Sequence, residues 1–286
     1  MTTPPTAGAQ GQTGLTVTPS TPVIGAEISG LDLRVPLTPA LRDELHRLLL
    51  RHRVLFFRDQ RLSTTQHLSF AEAFGPILIF SGIADPDPDH PGVHEVCGST
   101  VGWHIDASSM LAPPVATVLR AIDIPPTGGD TLWASAVAAY NALPQQLKQH
   151  LHGKYATHSG GHRDPGTDRP LVAHPLLRSH PETGERFLYI NLAPWEQTHI
   201  IGLNIQDSAA LVKRLTEEYL RPEHLVRFRW SPGAVAMWDN RAVQHTGTHD
   251  YGNHPRRMAR ICLARFHHTR PTATPATKPP PAPMTG

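Results

Sequence analysis

The 286-residue chain has little cysteine and no long apolar run. Two cysteines, Cys97 and Cys262, are too few for a disulfide framework, so a reducing cytoplasm is the expected location. No apolar stretch approaches the roughly 18 residues that a transmembrane helix needs. Residues 1–14 lack the basic and apolar regions of a signal peptide. We therefore expect neither secretion nor a membrane segment.

The sequence also lacks a strong excess of either charge, because its formal net charge is +2 with histidine neutral. This balance offers no electrostatic reason for binding nucleic acid or a membrane surface. A phosphate-binding glycine loop is missing as well, since Gly128-Gly129 has neither the spacing nor the strand-to-helix context of one. These features argue against nucleic-acid, membrane-surface and nucleotide-phosphate binding.

Proline is plentiful, with 29 residues. Many of them lie in the Thr/Pro/Gly/Gln-rich segment 1–14 and in the Pro/Thr-rich tail 267–286, and both segments are predicted to be disordered. Residues 15–266 show no internal repeat and no break in composition, so they are predicted to form a single domain.

Short strand-like runs and a few helices fill this predicted domain. Helices are expected to begin at Thr38-Pro39 and at the capping box 63–66. Further helices are predicted at 143–151 and 207–220, strands at 15–18, 23–28, 53–57, 115–124, 130–134, 186–191, 225–230, 234–238 and 257–266, and irregular loops at 81–92 and 159–170. The pattern predicts a mainly β fold with flanking helices around a double-sheet, jelly-roll core.

The stretch 102–106 (GWHID) places His104 and Asp106 two residues apart. On a strand, side chains at i and i+2 share a face, so one extended segment can direct an imidazole and a carboxylate at one metal ion. These are two members of the 2-His-1-carboxylate triad, which leaves open positions on non-haem Fe(II). By itself the motif is equally typical of a surface His–Asp pair, so a third ligand is required.

The block 238–260 offers that ligand in His245 and adds Arg256 and Arg260. If residues 250–253 form a turn, His245 and the arginines lie on antiparallel neighbouring strands, and both guanidinium groups reach toward the metal. That arrangement suits a dicarboxylate that chelates iron at one end and pairs with arginine at the other. Taken alone, Arg256 is equally a solvated surface charge, and Arg260 a structural ion pair.

Six segments share the order and spacing of one enzyme family. They are IGAEI with GLDL at 24–33, FFRDQ at 56–60, FGP at 74–76, WHID at 103–106, TGGDTLW at 127–133, and the block 238–260. In these segments the chain resembles the TauD/TfdA family of Fe(II)/2-oxoglutarate-dependent dioxygenases, over about residues 20 to 266. The resemblance implies a double-stranded β-helix of the jelly-roll or cupin-like kind, with iron held by His104, Asp106 and His245.

The resemblance also implies roles around the iron. Thr131 and Arg256 would bind the distal carboxylate of 2-oxoglutarate. Arg260 matches a family position that meets the anionic group of the substrate or helps to clamp the cosubstrate. Asn191 falls where the family often has an asparagine beside the site.

Substrate-contacting positions are implied less directly. Phe80, Thr100 and Ala107 fall at pocket-lining positions, although apolar packing explains Phe80 and Ala107 equally well. The family's taurine and alkyl-sulfate enzymes carry a sulfonate- or sulfate-binding histidine where Phe80 stands, which argues against taurine itself. His249 would share the face of His245 if the strand extends that far, and is a candidate substrate contact. The remaining histidines, including His158, His162 and His174, are expected at the surface.

The implied enzyme uses Fe(II), 2-oxoglutarate and O2 to hydroxylate a small or medium-sized, anionic substrate, with release of succinate and CO2. Because the family's halogenating variants lack the carboxylate ligand, Asp106 favours oxygenation over halogenation. Desaturation, epoxidation or oxidative decarboxylation would use the same ligands. A non-catalytic metal-binding protein is a separate alternative, which Thr131 and Arg256 disfavour because a simple metal binder needs no 2-oxoglutarate anchor. Analogy with the family allows a homo-oligomer.

Overall fold

The computed structural model describes residues 14–80, 89–159, 171–196 and 198–267. The predicted disordered ends and the predicted loops 81–92 and 159–170 lie wholly or mostly outside these ranges. The strands are β1 (Thr16–Pro19), β2 (Ala26–Ser29), β3 (Val54–Phe57), β4 (Val93–Cys97), β5 (Ala116–Asp123), β6 (Thr131–Ser135), β7 (Tyr155–His158), β8 (Val172–Pro175), β9 (Leu177–Ser179), β10 (Arg186–Leu188), β11 (Leu225–Phe228), β12 (Val235–Asp239), β13 (Val243–Gly247) and β14 (Arg257–Leu263). The α-helices are α1 (Pro39–His52), α2 (Thr64–Glu72), α3 (Ala136–Ala142), α4 (Gln145–Leu151) and α5 (Ile205–Tyr219).

Seven strands form the larger sheet, in the order β1-β2-β3-β12-β5-β14-β4. Neighbouring strands are antiparallel except for β2 and β3. Side chains alternate between the two faces of the sheet. Val118 and Met237 join a hydrophobic cluster with α1 and α2, whereas Leu119 and Trp238 join a cluster on the opposite face. We call the face that bears Trp238 the inner face.

A three-stranded sheet, β11-β6-β13, covers the inner face. Phe228 on β11 stacks on Phe56 of the larger sheet with ring centroids 4.3 Å apart. Trp133 on β6 meets Phe56 edge-on at 5.3 Å and Trp238 at 5.6 Å. These buried aromatic contacts join the two sheets into one core. The predicted mainly β class with a jelly-roll core is confirmed.

Both predicted helix starts are present. Thr38 Oγ1 accepts a hydrogen bond from the Leu41 amide at 3.2 Å and caps α1. At α2, the Ser63 hydroxyl accepts from the Gln66 amide, and the Gln66 side chain accepts in return from the Ser63 amide. Each cap satisfies amides that have no partner within the first turn.

The short helix α3 was not predicted. It follows β6 without a loop, because Ser135 is both the last strand residue and the N-cap that accepts from the Ala138 amide. Seven residues of sequence AVAAYNA are too few to show a helical apolar period. Helices α3, α4 and α5 pack together with β10 in a separate hydrophobic cluster. None of the described helices has the length and apolar character to cross a bilayer.

Strand β13, which carries His245, has a different neighbour from the expected one. It pairs with β6, while β14 lies between β5 and β4 in the larger sheet. The prediction that His245 and the arginines lie on adjacent strands is therefore wrong. Residues 248–256 cross from one sheet to the other, so His245 and Arg260 reach the same cleft from opposite sheets.

Candidate metal centre

His104 and His245 are joined by a reciprocal backbone pair. The His104 amide donates to the His245 carbonyl at 3.0 Å, and the His245 amide donates to the His104 carbonyl at 2.9 Å. Directly opposed residues in an antiparallel pair point their side chains to the same face. The two ring centroids are accordingly 4.1 Å apart. One isolated bridge thus directs both imidazoles into a single cleft.

Asp106 enters the cleft from a turn. His104 pairs only through its isolated bridge, residues 106–109 form a turn, and Ala107 has a φ of 48°. The prediction that strand alternation brings His104 and Asp106 together is therefore wrong, although the two side chains do converge. The left-handed backbone at Ala107 is unfavourable for a residue with a Cβ, so surrounding contacts must hold the turn in place.

The side chains of His104, Asp106 and His245 form a group whose candidate ligand atoms all lie within 4.8 Å of one another. Asp106 Oδ1 is 4.0 Å from His104 Nε2, and Asp106 Oδ2 is 3.9 Å from His245 Nε2. The three side chains are 12%, 2% and 9% exposed, which leaves only a narrow approach from solvent. Two imidazoles and one carboxylate are the donor set of a non-haem Fe(II) site with open positions, so these residues fit iron.

Hydrogen bonds hold the Asp106 backbone and both carboxylate oxygens. Asn240 accepts from the Asp106 amide and donates to the Asp106 carbonyl, each at 3.0 Å. The Thr117 hydroxyl donates to Oδ2 at 2.9 Å, and Arg260 donates to Oδ1 at 2.9 Å. Asn240 lies in the turn 240–242 before β13, and its amide group also secures the segment that carries Asp106.

The electrostatics of the group suit a metal cation. Burial raises the pKa of Asp106, but the charge of Arg260 and the neighbouring imidazoles outweigh it and lower that pKa to about 2. Burial lowers the pKa of His245 to about 3 and lowers the pKa of His104 as well. At neutral pH the group therefore offers one carboxylate and two neutral imidazoles, the protonation states that metal binding requires.

The two imidazoles are oriented by different means. His104 Nδ1 lies 2.8 Å from the Gly102 carbonyl, which fits an Nδ1–H donor and leaves Nε2 for a metal. His245 is held by packing, with its ring centroid 4.7 Å from that of Trp238. Gly102 has a φ of 136°, and a Cβ there would lie 2.6 Å from Pro194, so glycine is needed where this segment meets 194–195.

Arg256 and Thr131 form a second polar group in the same cleft. Arg256 donates to the Gly129 and Gly98 carbonyls at 2.9 and 2.7 Å, and to the Thr131 hydroxyl at 3.4 Å. Thr131 Oγ1 also accepts from Trp230 at 2.9 Å, which leaves its own proton for an acceptor in the cleft. Gly129, with a φ of 68°, lies so close that a Cβ would sit 3.1 Å from the Arg256 side chain.

The cleft between the sheets is narrow, with a volume of about 40 Å3. Arg260 and Thr100 line it, together with His104 and His245. Asn191 lies nearby and is buried, donating to Ser108 and to Glu196. Asn191 thus supports the turn after Asp106 through its hydrogen bond to Ser108.

Other predicted site residues lie at the edge or outside. Phe80 is half-buried, with its ring centroid 5.3 Å from that of His94. Ala107 belongs to the turn beside Asp106. His249 is exposed and contacts Tyr251, because β13 ends at Gly247. The expectation that His249 shares the strand face of His245 is therefore wrong.

Six histidines that were expected at the surface are buried instead, namely His67, His94, His158, His174, His180 and His224. His158 and His174 are 0% and 2% exposed, and their rings meet each other and Tyr189. They lie on the paired strands β7 and β8, whose runs are too short for alternation to reveal a buried face. His162 lies outside the described residues.

Thr117 and Glu196 near the metal ligands were not identified from the sequence. Thr117 was detectable only as a single hydroxyl within the apolar run 115–124. Glu196 accepts from the Ser159 amide at 2.6 Å and from Asn191 at 3.2 Å, and its charge acts on His104. No local pattern marks such a residue, because its partners come from distant segments.

Comparison with known proteins gives a consistent likeness. Residues 16–262 match the family model described as "Taurine catabolism dioxygenase TauD, TfdA family". An alkylsulfatase of Acinetobacter baylyi is 35% identical over 84% of this chain and 82% of its own length, and an alpha-ketoglutarate-dependent sulfate ester dioxygenase of Pseudomonas putida is 33% identical over 84% and 86%. The crystal structure of a taurine dioxygenase from Burkholderia xenovorans has a TM-score of 0.79 and 38% identity, covering 87% of this chain and 90% of that one.

Proposed function

The chain belongs to the TauD/TfdA family of 2-oxoglutarate-dependent dioxygenases, and from this we propose specific roles for the residues of its cleft. The protein is an oxidoreductase that uses Fe(II), 2-oxoglutarate and O2. We assign His104, Asp106 and His245 as the iron ligands. The observation that carries this assignment is the convergence of two neutral imidazoles and one ionised carboxylate within 4.8 Å.

Bound iron with 2-oxoglutarate and O2 supplies the oxidising chemistry, which releases succinate and CO2 while the substrate is hydroxylated. The protein residues supply position and charge. The Thr131 hydroxyl would donate a hydrogen bond to the distal carboxylate of 2-oxoglutarate, and the Arg256 guanidinium would form an ion pair with the same carboxylate. Because Arg256 is tied to the Gly129 and Gly98 carbonyls, it presents a fixed donor surface and needs little reorganisation when the cosubstrate binds.

We propose that the substrate is a small or medium-sized acid whose anionic group meets Arg260. Arg260 lines the cleft and carries a positive charge next to the metal ligands. The alkylsulfatase and the sulfate ester dioxygenase are, by their names, enzymes that act on anionic esters. Phe80 contributes an apolar wall, so the remainder of the substrate is expected to be apolar.

A substrate panel scored by succinate release tests this proposal. Alkyl sulfates, sulfonates, phenoxy acids and amino acids are compared, each beside a neutral analogue of matched size. We expect at least one acid to raise succinate release above the uncoupled background, and Arg260→Ala to reduce that coupling. Equal stimulation by acids and neutral analogues would contradict the anionic-substrate proposal without touching the iron assignment.

The iron assignment has its own test. Anaerobic addition of Fe(II) and 2-oxoglutarate should produce a visible metal-to-ligand absorption band in the wild type and none in His104→Ala. His150→Ala is the matched control, because His150 is exposed on α4 and does not line the cleft. Retention of the band in His104→Ala would exclude this histidine as a ligand.

The same ligands support a second outcome, in which the substrate is desaturated, epoxidised or oxidatively decarboxylated. Product mass separates these outcomes, since hydroxylation adds one oxygen and desaturation removes two hydrogens. A cytoplasmic location, the lack of a nucleic-acid partner and a homo-oligomeric state stay predictions from the sequence and the family.

A further inference from the structure

Two buried nitrogen atoms on adjacent strands have no acceptor. His94 on β4 is directly opposite Arg260 on β14 in the strand register. His94 is 5% exposed, and among the described residues neither its Nε2 nor the Nε of Arg260 has a hydrogen-bond partner. Because buried polar atoms are seldom left unpaired, two of them side by side indicate a group that the described residues do not supply.

His94 and Arg260 face the cleft. Directly opposed residues of an antiparallel pair share a face, and His94 shares that face with Val96, two residues along β4. Val96 and Arg260 both line the cleft that contains the metal ligands. The unpaired nitrogen atoms therefore lie at the edge of the catalytic space and not in the core behind it.

This edge is separate from the group that we assign to 2-oxoglutarate. Arg256 and Arg260 are four residues apart on nearly extended backbone, which places their Cα atoms roughly 13 Å apart. Arg256 contacts the Gly98 carbonyl just beyond the end of β4, whereas Arg260 lies beside His94 near the start of that strand. The two guanidinium groups are therefore anchored at different points along β4, and the unpaired Nε of Arg260 is available to a second anion.

We propose that His94 and Arg260 together bind the acid group of the substrate, with His94 as a specificity-determining residue. The inference rests on the proposed function, because it adds a second donor to the anion contact assigned to Arg260. His94 supplies an imidazole beside Arg260 from the neighbouring strand β4. The chemical class is an oxyanion: a sulfate ester, a sulfonate or a carboxylate.

The surroundings of His94 suit this role. Phe80 contacts the ring at 5.3 Å with planes inclined by 61°, which limits rotation of the imidazole. Burial and the charge of Arg260 lower the pKa of His94, so the ring is neutral at pH 7 and keeps one N–H donor. Arg260 already donates from Nη1 to Asp106, which fixes the guanidinium between the metal ligands and the bound acid.

The test measures binding to the protein loaded with Fe(II) and saturating 2-oxoglutarate under anaerobic conditions. Calorimetric titrations use hexyl sulfate, hexane-1-sulfonate and hexanoate, with 1-hexanol as the neutral match. In the wild type we expect one of the acids to bind more tightly than hexanol. His94→Leu should raise the Kd of that acid about tenfold and change the Kd of hexanol and of 2-oxoglutarate less than twofold. His94→Gln, which restores an N–H donor, should recover most of the loss.

His67→Leu is the matched control, since His67 is a fully buried histidine on α2 whose helix covers the other face of the larger sheet. An equal loss in His67→Leu, or an unchanged acid Kd in His94→Leu, would overturn the proposal. If Arg260→Ala weakens acid binding tenfold and His94→Leu does not, the role of His94 fails while the proposed function stands. If the wild type prefers no acid over hexanol, the anionic substrate fails and the His94–Arg260 site fails with it.

Discussion

Four hydrogen bonds from three residues hold Asp106 in place. Its backbone is held by Asn240, and its two carboxylate oxygens are held by Thr117 and Arg260. A ligand fixed in this way loses little conformational entropy on metal binding, and its orientation limits which ions fit. The positive charge of Arg260 also helps to explain why the buried Asp106 carboxylate stays ionised.

Removing the Asn240 side chain, which holds the Asp106 backbone, should weaken iron binding. Asn240 makes three hydrogen bonds of 3.0 Å, two with the Asp106 backbone and one with the Pro114 carbonyl. We expect Asn240→Ala to raise the Kd for Fe(II) by about tenfold or more, because partners of metal ligands typically contribute that much. Anaerobic titration in the presence of 2-oxoglutarate measures it. Asn253→Ala, at an exposed position, serves as the control, and equal Kd values in both variants would contradict the prediction.

His67 should make the stability of the fold depend on pH. Burial, followed by the charge of Arg120, lowers its pKa to about 3, below the ordinary value near 6.5 in the unfolded chain. The folded state therefore resists protonation, so this part of the stability is complete above about pH 6.5 and is lost as the pH falls toward 3.

We expect His67→Leu to reduce the drop in unfolding free energy between pH 7 and pH 5 by about 2 kcal/mol. Urea denaturation at the two pH values measures this difference. His254→Leu, with an exposed imidazole, should behave like the wild type. If the drop is the same in His67→Leu as in the wild type, protonation of another group accounts for the pH dependence.

Helices and strands were predictable wherever their signals are local. Residues 38–39 and 63–66 carry capping chemistry that acts within four residues, and both helices begin where expected. Strands β3, β5 and β12 are buried on both faces and appear as continuous apolar runs. The bounds of strand β13 were not predicted, because residues 243–247 (VQHTG) contain one apolar side chain, Val243, and show no apolar alternation.

The cap of α2 allows a quantitative test at the level of an element. Ser63→Ala removes the acceptor for the Gln66 amide and should cost about 1 kcal/mol of unfolding free energy. Ser69→Ala, at an exposed position inside the same helix, should change stability by less than about 0.5 kcal/mol. Because α2 covers the outer face of the larger sheet, neither variant should alter 2-oxoglutarate binding. A loss of binding in Ser63→Ala would show coupling between α2 and the cleft.

On the scale of the whole molecule, the cleft is built from both sheets. His245 and Thr131 come from the three-stranded sheet, whereas Thr117 and Arg260 come from the larger one. A ligand that contacts residues of both sheets connects the two sheets. Because these residues come together only on folding, the ligand binds the folded state and not the unfolded chain. Metal and cosubstrate should therefore stabilise the entire fold.

Thermal unfolding with Mn(II), an air-stable replacement for Fe(II), checks this expectation. At a free Mn(II) concentration 100 times its Kd, binding should add about 2.7 kcal/mol to the unfolding free energy. Asp106→Ala should abolish the rise in melting temperature, whereas Glu217→Ala, at an exposed site on α5, should retain it. A similar rise in both variants would mean that Mn(II) stabilises the protein at another site.

Much of the function was determined by the sequence itself. His104, Asp106, His245, Thr131 and Arg256 stand in motifs whose residue types and order identify the chemistry without coordinates. The fold class followed as well, because strand alternation, caps and turn residues are properties of neighbouring residues.

Only the tertiary structure decided how these motifs meet. The side chains of His104 and Asp106 converge with that of His245 through an isolated bridge and a turn at Ala107, and not through strand alternation. The arginines approach from the opposite sheet, and His94 appears beside Arg260 through the register of β4 and β14. Sheet pairing and register depend on contacts between residues far apart in the chain, and no local pattern encodes them.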